Sequence, residues 1–156
     1  MTTAQSNDTR IRIFPPLVFM GGLGIGLLLQ WLMPYALLPF GAPRWLGALL
    51  LILGILLAAW GRNTMHQRNT SPNPALSAAT LVTTGPFRFS RNPLYIASTL
   101  AYLGIVILTN ALWTLVTLVP ILLIVHYGIV RGEERYLQTQ FGDAYREYCA
   151  RVRRYI

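Results

Sequence analysis

This chain has no lysine, one cysteine and only five acidic residues. The lone Cys149 excludes an intramolecular disulfide and a zinc site made of cysteines alone. His66 and His126 stand too far apart for a metal motif, so no metal is expected. Glycine-rich phosphate loops and nucleophile elbows are missing, as are internal repeats and low-complexity tracts. Charged residues are 12% of the total, about half the share in a soluble domain. A length of 156 residues leaves room for one domain, so 1–156 reads as a single membrane domain.

What fills the chain is apolar sequence, 54% of it, cut at intervals by arginine. A net charge of +8 would suit nucleic acid. The arginines instead flank apolar runs, as the positive-inside rule describes, so a lipid bilayer and not a nucleic acid is the expected partner.

Crossing about 30 Å of hydrocarbon takes about 20 apolar residues. Four segments qualify: 14–38, 45–60, 94–109 and 111–130. The second and third reach only about 24 Å at 1.5 Å per residue, so they require thinning, oblique packing or extension into the interface. Trp45 and Trp60 bracket the second, where amphipathic rings prefer to sit. Pro120 is expected to kink the fourth, and Asn110 to close a tight hairpin between the third and fourth. Gly21, Gly22, Gly24, Gly26, Gly47 and Gly54 read as helix-packing positions, since small residues let backbones approach in lipid.

Twelve of the thirteen arginines fall on one side of this arrangement, and only Arg44 on the other. That side is expected to be the cytoplasm, with both termini there and a prokaryotic inner membrane as the location. Asp8, Arg10 and Arg12 make the start polar, and the apolar run after them is too long for a signal sequence, so no cleavable signal peptide is expected. The expected fold class is an all-α membrane protein: about four transmembrane helices plus a cytoplasmic, interfacial C-terminal helical segment.

Two polar stretches carry the candidate chemistry, the loop 61–92 and the tail 131–156. The loop, with Pro72 and Pro74, cannot be a transmembrane helix. It ends Gly85-Pro86-Phe87-Arg88-Phe89-Ser90-Arg91-Asn92-Pro93-Leu94-Tyr95. Asn92 suits a helix N-cap and Pro93 the first turn. The free N–H groups there favour an anion, and Arg88 and Arg91 add charge. The alternative is a plain helix start with arginines anchored among headgroups.

In the tail, Leu137, Phe141, Tyr145, Tyr148, Cys149, Val152 and Ile156 trace one apolar helical face, with Gly142-Asp143 as a break. Such an arginine-rich helix lies in the interface or folds back over the bundle. Glu133 and Glu134 fall beside the membrane boundary, where carboxylates need solvent or a partner. Arg131 and Arg135 would serve, or a cationic ligand group. The predicted hairpin returns these glutamates to the level of Asn92, so a zwitterion would fit between the two ends. His126 and Tyr127 would line the same pocket.

Together, Gly85-Pro86-Phe87-Arg88, Arg91-Asn92-Pro93-Leu94-Tyr95, the hairpin, and Glu133-Glu134-Arg135-Tyr136-Leu137 with Phe141-Gly142, Tyr145, Tyr148 and Val152 resemble the integral-membrane methyltransferases. These include the isoprenylcysteine carboxyl methyltransferases and the phospholipid N-methyltransferases. The resemblance covers roughly 64–156. It implies S-adenosylmethionine as methyl donor, whose methionine part is such a zwitterion. It also implies a cofactor site of Gly85, Pro86, Arg88, Arg91, Asn92, Pro93, Tyr95, Glu133, Glu134, Tyr145 and Tyr148. Of these, one glutamate would bind the amino group and the two tyrosines would close the pocket. The isoprenylcysteine enzymes typically have histidine where Asn92 stands. Asparagine is more like the bacterial and phospholipid-type relatives, which argues against a prenylcysteine acceptor.

Methyl transfer then needs alignment and exclusion of water. The acceptor would be a lipidic or small hydrophobic molecule entering from the bilayer. His126 or a glutamate, Glu134 foremost, would take a proton from an amine acceptor. Arg88 or Arg151 would hold an anionic one. Two competing readings are an NADPH-dependent membrane reductase of the sterol-reductase type and a non-enzymatic, lipid-binding scaffold.

Overall fold

The computed structural model describes residues 14–39, 42–68, 70 and 80–155. Asp8, Arg10, Arg12, Pro72, Pro74 and Ile156 lie outside the described residues. Among the described residues the α-helices are, in order, α1 Pro15–Leu32, α2 Trp45–Gln67, α3 Pro93–Thr109, α4 Leu112–Leu123 and α5 Arg131–Arg151. A 3-10 turn, Gly85–Arg88, precedes α3, and a π-helical segment, Ile124–Val130, joins α4 to α5.

Among the described residues three helical stretches are long and apolar enough to cross a membrane: α1, α2 and the continuous 40-residue run Leu112–Arg151, with α3 a shorter apolar helix. Their outward surfaces are rich in exposed Leu, Ile, Val and Trp, the reverse of a water-soluble protein and the expected state of side chains that face lipid. The protein is integral to the membrane and all-helical.

Local chemistry sets the helix ends. α1 stops at Leu32 because Pro34 disfavours helical backbone in the residue before it, and Met33 leaves the helix at φ −135°, ψ 80°. The run predicted to span through Leu38 therefore ends early. Segment 35–38 instead lies along the α3–α4 turn. There Asn110 takes the left-handed conformation at φ 53°, its Oδ1 accepts from the Leu38 amide at 2.7 Å, and its Nδ2 donates to the Leu38 carbonyl at 3.2 Å. At the other end of the bundle α2 continues through Gly61 and Arg62 to Gln67, beyond the apolar run that announced it.

The helices pack as two pairs, α1 with α4 and α2 with α3. In the second pair the backbones nearly touch. A Cβ on Gly54 would lie 2.7 Å from both the Ala101 nitrogen and the Ala97 oxygen, and one on Gly47 would lie 2.7 Å from the Gly104 oxygen. Against α4, Gly26 meets the Thr114 backbone and Gly22 the Ile121 side chain, whereas Gly21 and Gly24 face open space with nothing within 4 Å. The central apolar cluster, including Phe19, Tyr102, Val106, Leu118, Ile121 and Val125, lies between the pairs.

Substitution tests this division. Gly54→Val forces a branched side chain against backbone that cannot yield. Overpacking costs about 1–3 kcal/mol, so the melting temperature in detergent falls. Gly21→Ala meets no neighbour and relieves the helix penalty of glycine, about 0.5–1 kcal/mol, so the melting temperature holds or rises.

Candidate functional site

The site forms where two helices begin. α3 runs out from Pro93, and the chain returns through α4 and the π segment to start α5 at the same end of the bundle. The Tyr95 hydroxyl, in the first turn of α3, donates to both carboxylate oxygens of Glu133 at 3.0 Å. Beside it, Arg91 Nη1 lies 3.3 Å from Glu134 Oε1. Thus the loop before α3 and the first turn of α5 meet through two adjacent carboxylates.

A third segment locks this junction. After α5 the chain turns extended at Val152, φ −124° and ψ 128°, and 152–155 doubles back across the start of α3. The Arg153 carbonyl accepts from the Arg91 amide at 3.0 Å. The Arg154 carbonyl accepts from Ser90 Oγ at 3.2 Å and Asn92 Nδ2 at 3.1 Å. Arg154 then places its guanidinium on Glu134, with Nε donating at 3.0 and 3.1 Å and Nη2 at 2.7 Å. A planar guanidinium fork meeting a carboxylate this way is the strong form of the ion pair. Next to it the Tyr155 hydroxyl meets His126 Nδ1 at 2.8 Å. Tyr148, further back on α5, donates to the Phe87 carbonyl at 2.6 Å and holds the 3-10 turn down. The kink that lets α5 reach these partners is Gly142, at φ 51° and ψ −121°.

A cleft of about 760 Å³ opens over this junction, within the range of small-molecule sites. Arg91, from the loop before α3, and Arg154, from beyond α5, line it together with Tyr127 of the π segment and Arg131, Glu134, Arg135, Gln138, Thr139, Tyr145 and Cys149 of α5. Its single carboxylate, Glu134, is only 14% exposed and is shared by Arg91 and Arg154. Arg91 Nη1 also bonds Cys149 Sγ at 2.6 Å. Its Nε is buried and has no partner among the described residues.

Burial pushes the Glu133 carboxyl from 4.5 up to about 7; the Tyr95 hydrogen bond opposes the rise and the neighbouring Glu134 charge adds to it. Burial also raises Tyr148 to about 12, although nearby Arg91 opposes it, and raises Tyr145. The hydrogen bond to Glu134 raises Arg154.

Of the residues assigned to the cofactor site from the sequence, Arg91, Glu134 and Tyr145 line the cleft. Asn92, Pro93, Tyr95, Glu133 and Tyr148 do not line it; Pro93 is buried, and the other four are held by the bonds above. Asn92 occupies the N-cap position, yet its side chain makes no cap bond and serves the 152–155 segment instead. Gly85, at φ 59°, packs against Thr64 of α2, and Pro86 is buried there. Their place is to seat the turn. Arg88 is exposed and stacks on the Phe89 ring at 5.2 Å. Arg151 is also exposed, with Nε directed at the Glu147 carbonyl of its own helix. His126 sits beside Tyr155 and is not part of the cleft wall, whereas its neighbour Tyr127 is. Ser90, Arg154 and Tyr155 were not singled out. Their roles depend on where 152–155 docks, and the only sequence trace is the arginine- and tyrosine-rich ending.

A family model for phospholipid methyltransferases matches residues 42–144, from just before α2 to the kink of α5. The chain belongs to the phospholipid methyltransferase family. It is also similar to a cobalt-zinc-cadmium resistance protein, CzcN, of Cupriavidus metallidurans, at 34% identity over 126 residues covering 75% of this chain and 55% of the relative. The chain thus spans about half the length of that curated relative. No solved structure matches it. The phospholipid methyltransferase match covers both halves of the junction, Arg91-Asn92-Pro93 and Glu133-Glu134, and ends before Tyr145, Tyr148 and the 152–155 segment.

Two measurements probe the junction. Folding favours the neutral Glu133 carboxyl, so the folded state holds this proton above 4.5 where the unfolded chain has lost it. Stability from this group is therefore full below about pH 4.5 and declines as pH rises to about 7. A melting profile against pH should show this decline, and Glu133→Gln should remove it. Glu134→Gln strips Arg91 of its countercharge. Its cost should approach, from below, the roughly 3–5 kcal/mol of a fully buried pair broken on one side. Asp143→Asn breaks an exposed pair with Arg146 and should cost about 1 kcal/mol at most. Equal melting temperatures for these two variants would contradict the burial of the junction.

Proposed function

We propose that this phospholipid methyltransferase family member transfers a methyl group from S-adenosylmethionine to a lipophilic acceptor at the cytoplasmic face of a bacterial inner membrane. The carrying observation is the meeting of Arg91 and Glu134 in a cleft at the end of an apolar helix bundle. The arginine counts, twelve to one, support the cytoplasmic side for that cleft and both termini.

The residues present fit the donor. It carries a carboxylate, an ammonium and an adenosine, and the cleft volume suffices for all three. The buried Arg91 Nε without a partner is the group a ligand carboxylate would satisfy, since an unmet buried donor costs about 1–3 kcal/mol. Glu134 would take the ammonium by exchanging Arg154 for it, with Glu133 one residue away as the other candidate. Tyr145, buried against Cys149 and Arg91, would form the wall on which the ligand packs. When bound, the donor supplies an already activated sulfonium methyl.

The protein's own task is then to bind, orient and exclude water. Tyr95, Asn92, Pro93 and Tyr148 act as positioning residues, because each fixes the loop or helix that carries Arg91 or Glu134. Gly85 and Pro86 hold the preceding turn. His126, with Tyr155 on Nδ1, is the candidate proton acceptor if the acceptor is an amine, with Glu134 the second candidate. Arg88 and Arg151 lie on the surface, where they would meet headgroups.

Titrating the detergent-solubilised protein with S-adenosylhomocysteine tests the reading directly. Binding should be lost at least ten-fold, about 1.4 kcal/mol, in Arg91→Gln and Glu134→Ala variants that still melt cooperatively. Absence of binding to the unsubstituted protein at about 1 mM, or about 4 kcal/mol, rules out methyl transfer from this donor. A thermal shift with NADPH in its place would support a reductase.

A further inference from the structure

The cleft carries more positive charge than the proposed methyl donor can answer. Four arginines and one glutamate line it. Arg91 and Arg154 share Glu134. Arg131 and Arg135, on the same helix as Glu134, also line the cleft, and among the described residues neither is in an ion pair. The donor brings one carboxylate with two cationic centres, so it adds no net negative charge to the site. Both are exposed side chains that line the cleft; two guanidiniums a turn apart on one helix repel each other, and an anion held between them relieves that repulsion.

The same face continues into the membrane as hydrocarbon. Val119, Leu123, Tyr127, Arg131 and Arg135 follow one another at steps of four. Val119, Leu123 and Tyr127 are exposed at 61%, 54% and 60%. In an α-helix of about 3.6 residues per turn, a step of four overshoots one turn and the stripe would drift around the rod. The π segment Ile124–Val130 has more residues per turn, so the same step falls short of a turn and returns the stripe toward its line. Arg131 accordingly lies over the Tyr127 ring, 5.7 Å from its centroid. An apolar track thus runs up the lipid-facing side of α4 and ends in two arginines at the cleft.

We propose that the methyl acceptor is an amphiphile whose head group carries net negative charge, held by Arg131 and Arg135, with its hydrocarbon along Val119, Leu123 and Tyr127. The word acceptor rests on the methyl-transfer reading; the anion site rests on the track and its two arginines alone. The family name covers lipids with neutral or zwitterionic heads as well. This cleft favours an anionic head over those, because two neighbouring guanidiniums gain more from a group of net negative charge. Arg131 and Arg135 are then specificity-determining residues, distinct from the Arg88 and Arg151 that sequence alone offered for an anion.

Competition binding in nanodiscs of phosphatidylcholine tests the proposal with the full chain. The probes are a dodecyl phosphate, a dodecanoate and a dodecylphosphocholine of matched chain length, each displacing a fluorescent dodecyl phosphate. The two acids should outcompete the phosphocholine at least ten-fold, and their order tells a phosphate head from a carboxylate. Arg131→Gln/Arg135→Gln should abolish the preference, while Arg131→Lys/Arg135→Lys keeps most of it. S-adenosylhomocysteine affinity should stay within about two-fold in both. No preference for acid over phosphocholine overturns the proposal. So does a parallel loss of S-adenosylhomocysteine binding in the glutamine variant, which would assign these arginines to the nucleoside ligand. Failure of the unsubstituted protein to bind S-adenosylhomocysteine, with the acid preference intact, defeats the methyl-transfer reading and leaves the anion site standing.

Discussion

A carboxylate shared by two guanidiniums holds this molecule's working end together. Glu134 lies between Arg91, from the loop before α3, and Arg154, from beyond α5. Three stretches of chain far apart in sequence converge on one side chain. Removing ions from water is costly, and the cost is recovered only with close geometry and added hydrogen bonds. Both conditions hold here: the Arg154 contact is forked, and the backbone carbonyls of Arg153 and Arg154 bind the very loop that carries Arg91. The charge cluster therefore also fixes the positions of the loop, the helix and the extended segment.

The apolar bundle exists, in functional terms, to bring those stretches to one level. α2 and α3 approach backbone to backbone through Gly47, Gly54 and Gly104, which fixes the height of the loop before α3. The 40-residue rod Leu112–Arg151 starts at the far end, beside Asn110, and emerges next to that loop. Its middle is π-helical and its later part bends at Gly142. Both departures from regular helix lie on the way to the cleft or beside it, consistent with the tendency of wide helical turns to occur at functional sites.

Much of this could be read in advance because bilayers impose a coarse grammar. Apolar runs gave four helical segments, Asn110 the hairpin, Gly142 the break, and the hairpin in turn the proximity of Asn92 to Glu133 and Glu134. Other parts carry no such mark. α2 extends past Trp60 because Gly61, Arg62 and Asn63 can be helical at a water interface, and hydropathy does not record that. A π segment leaves no periodicity of its own in seven residues. The docking of 152–155 uses backbone carbonyls, which every residue has, so Arg154 and Tyr155 did not stand out. For the glutamates the sequence left open Arg131 or Arg135, solvent, or a cationic ligand group. Glu133 accepts from Tyr95, and Glu134 pairs with Arg91 and Arg154, partners that are distant in sequence.

The extended return of 152–155 over the start of α3 also has a consequence in time. Synthesis runs from the N-terminal side, so Arg154 is made 20 residues after the Glu134 it pairs with. Until then Asn92 lacks the carbonyl it holds, and Glu134 lacks one of its two cations. The side of the cleft that they share is completed only when 152–155 docks.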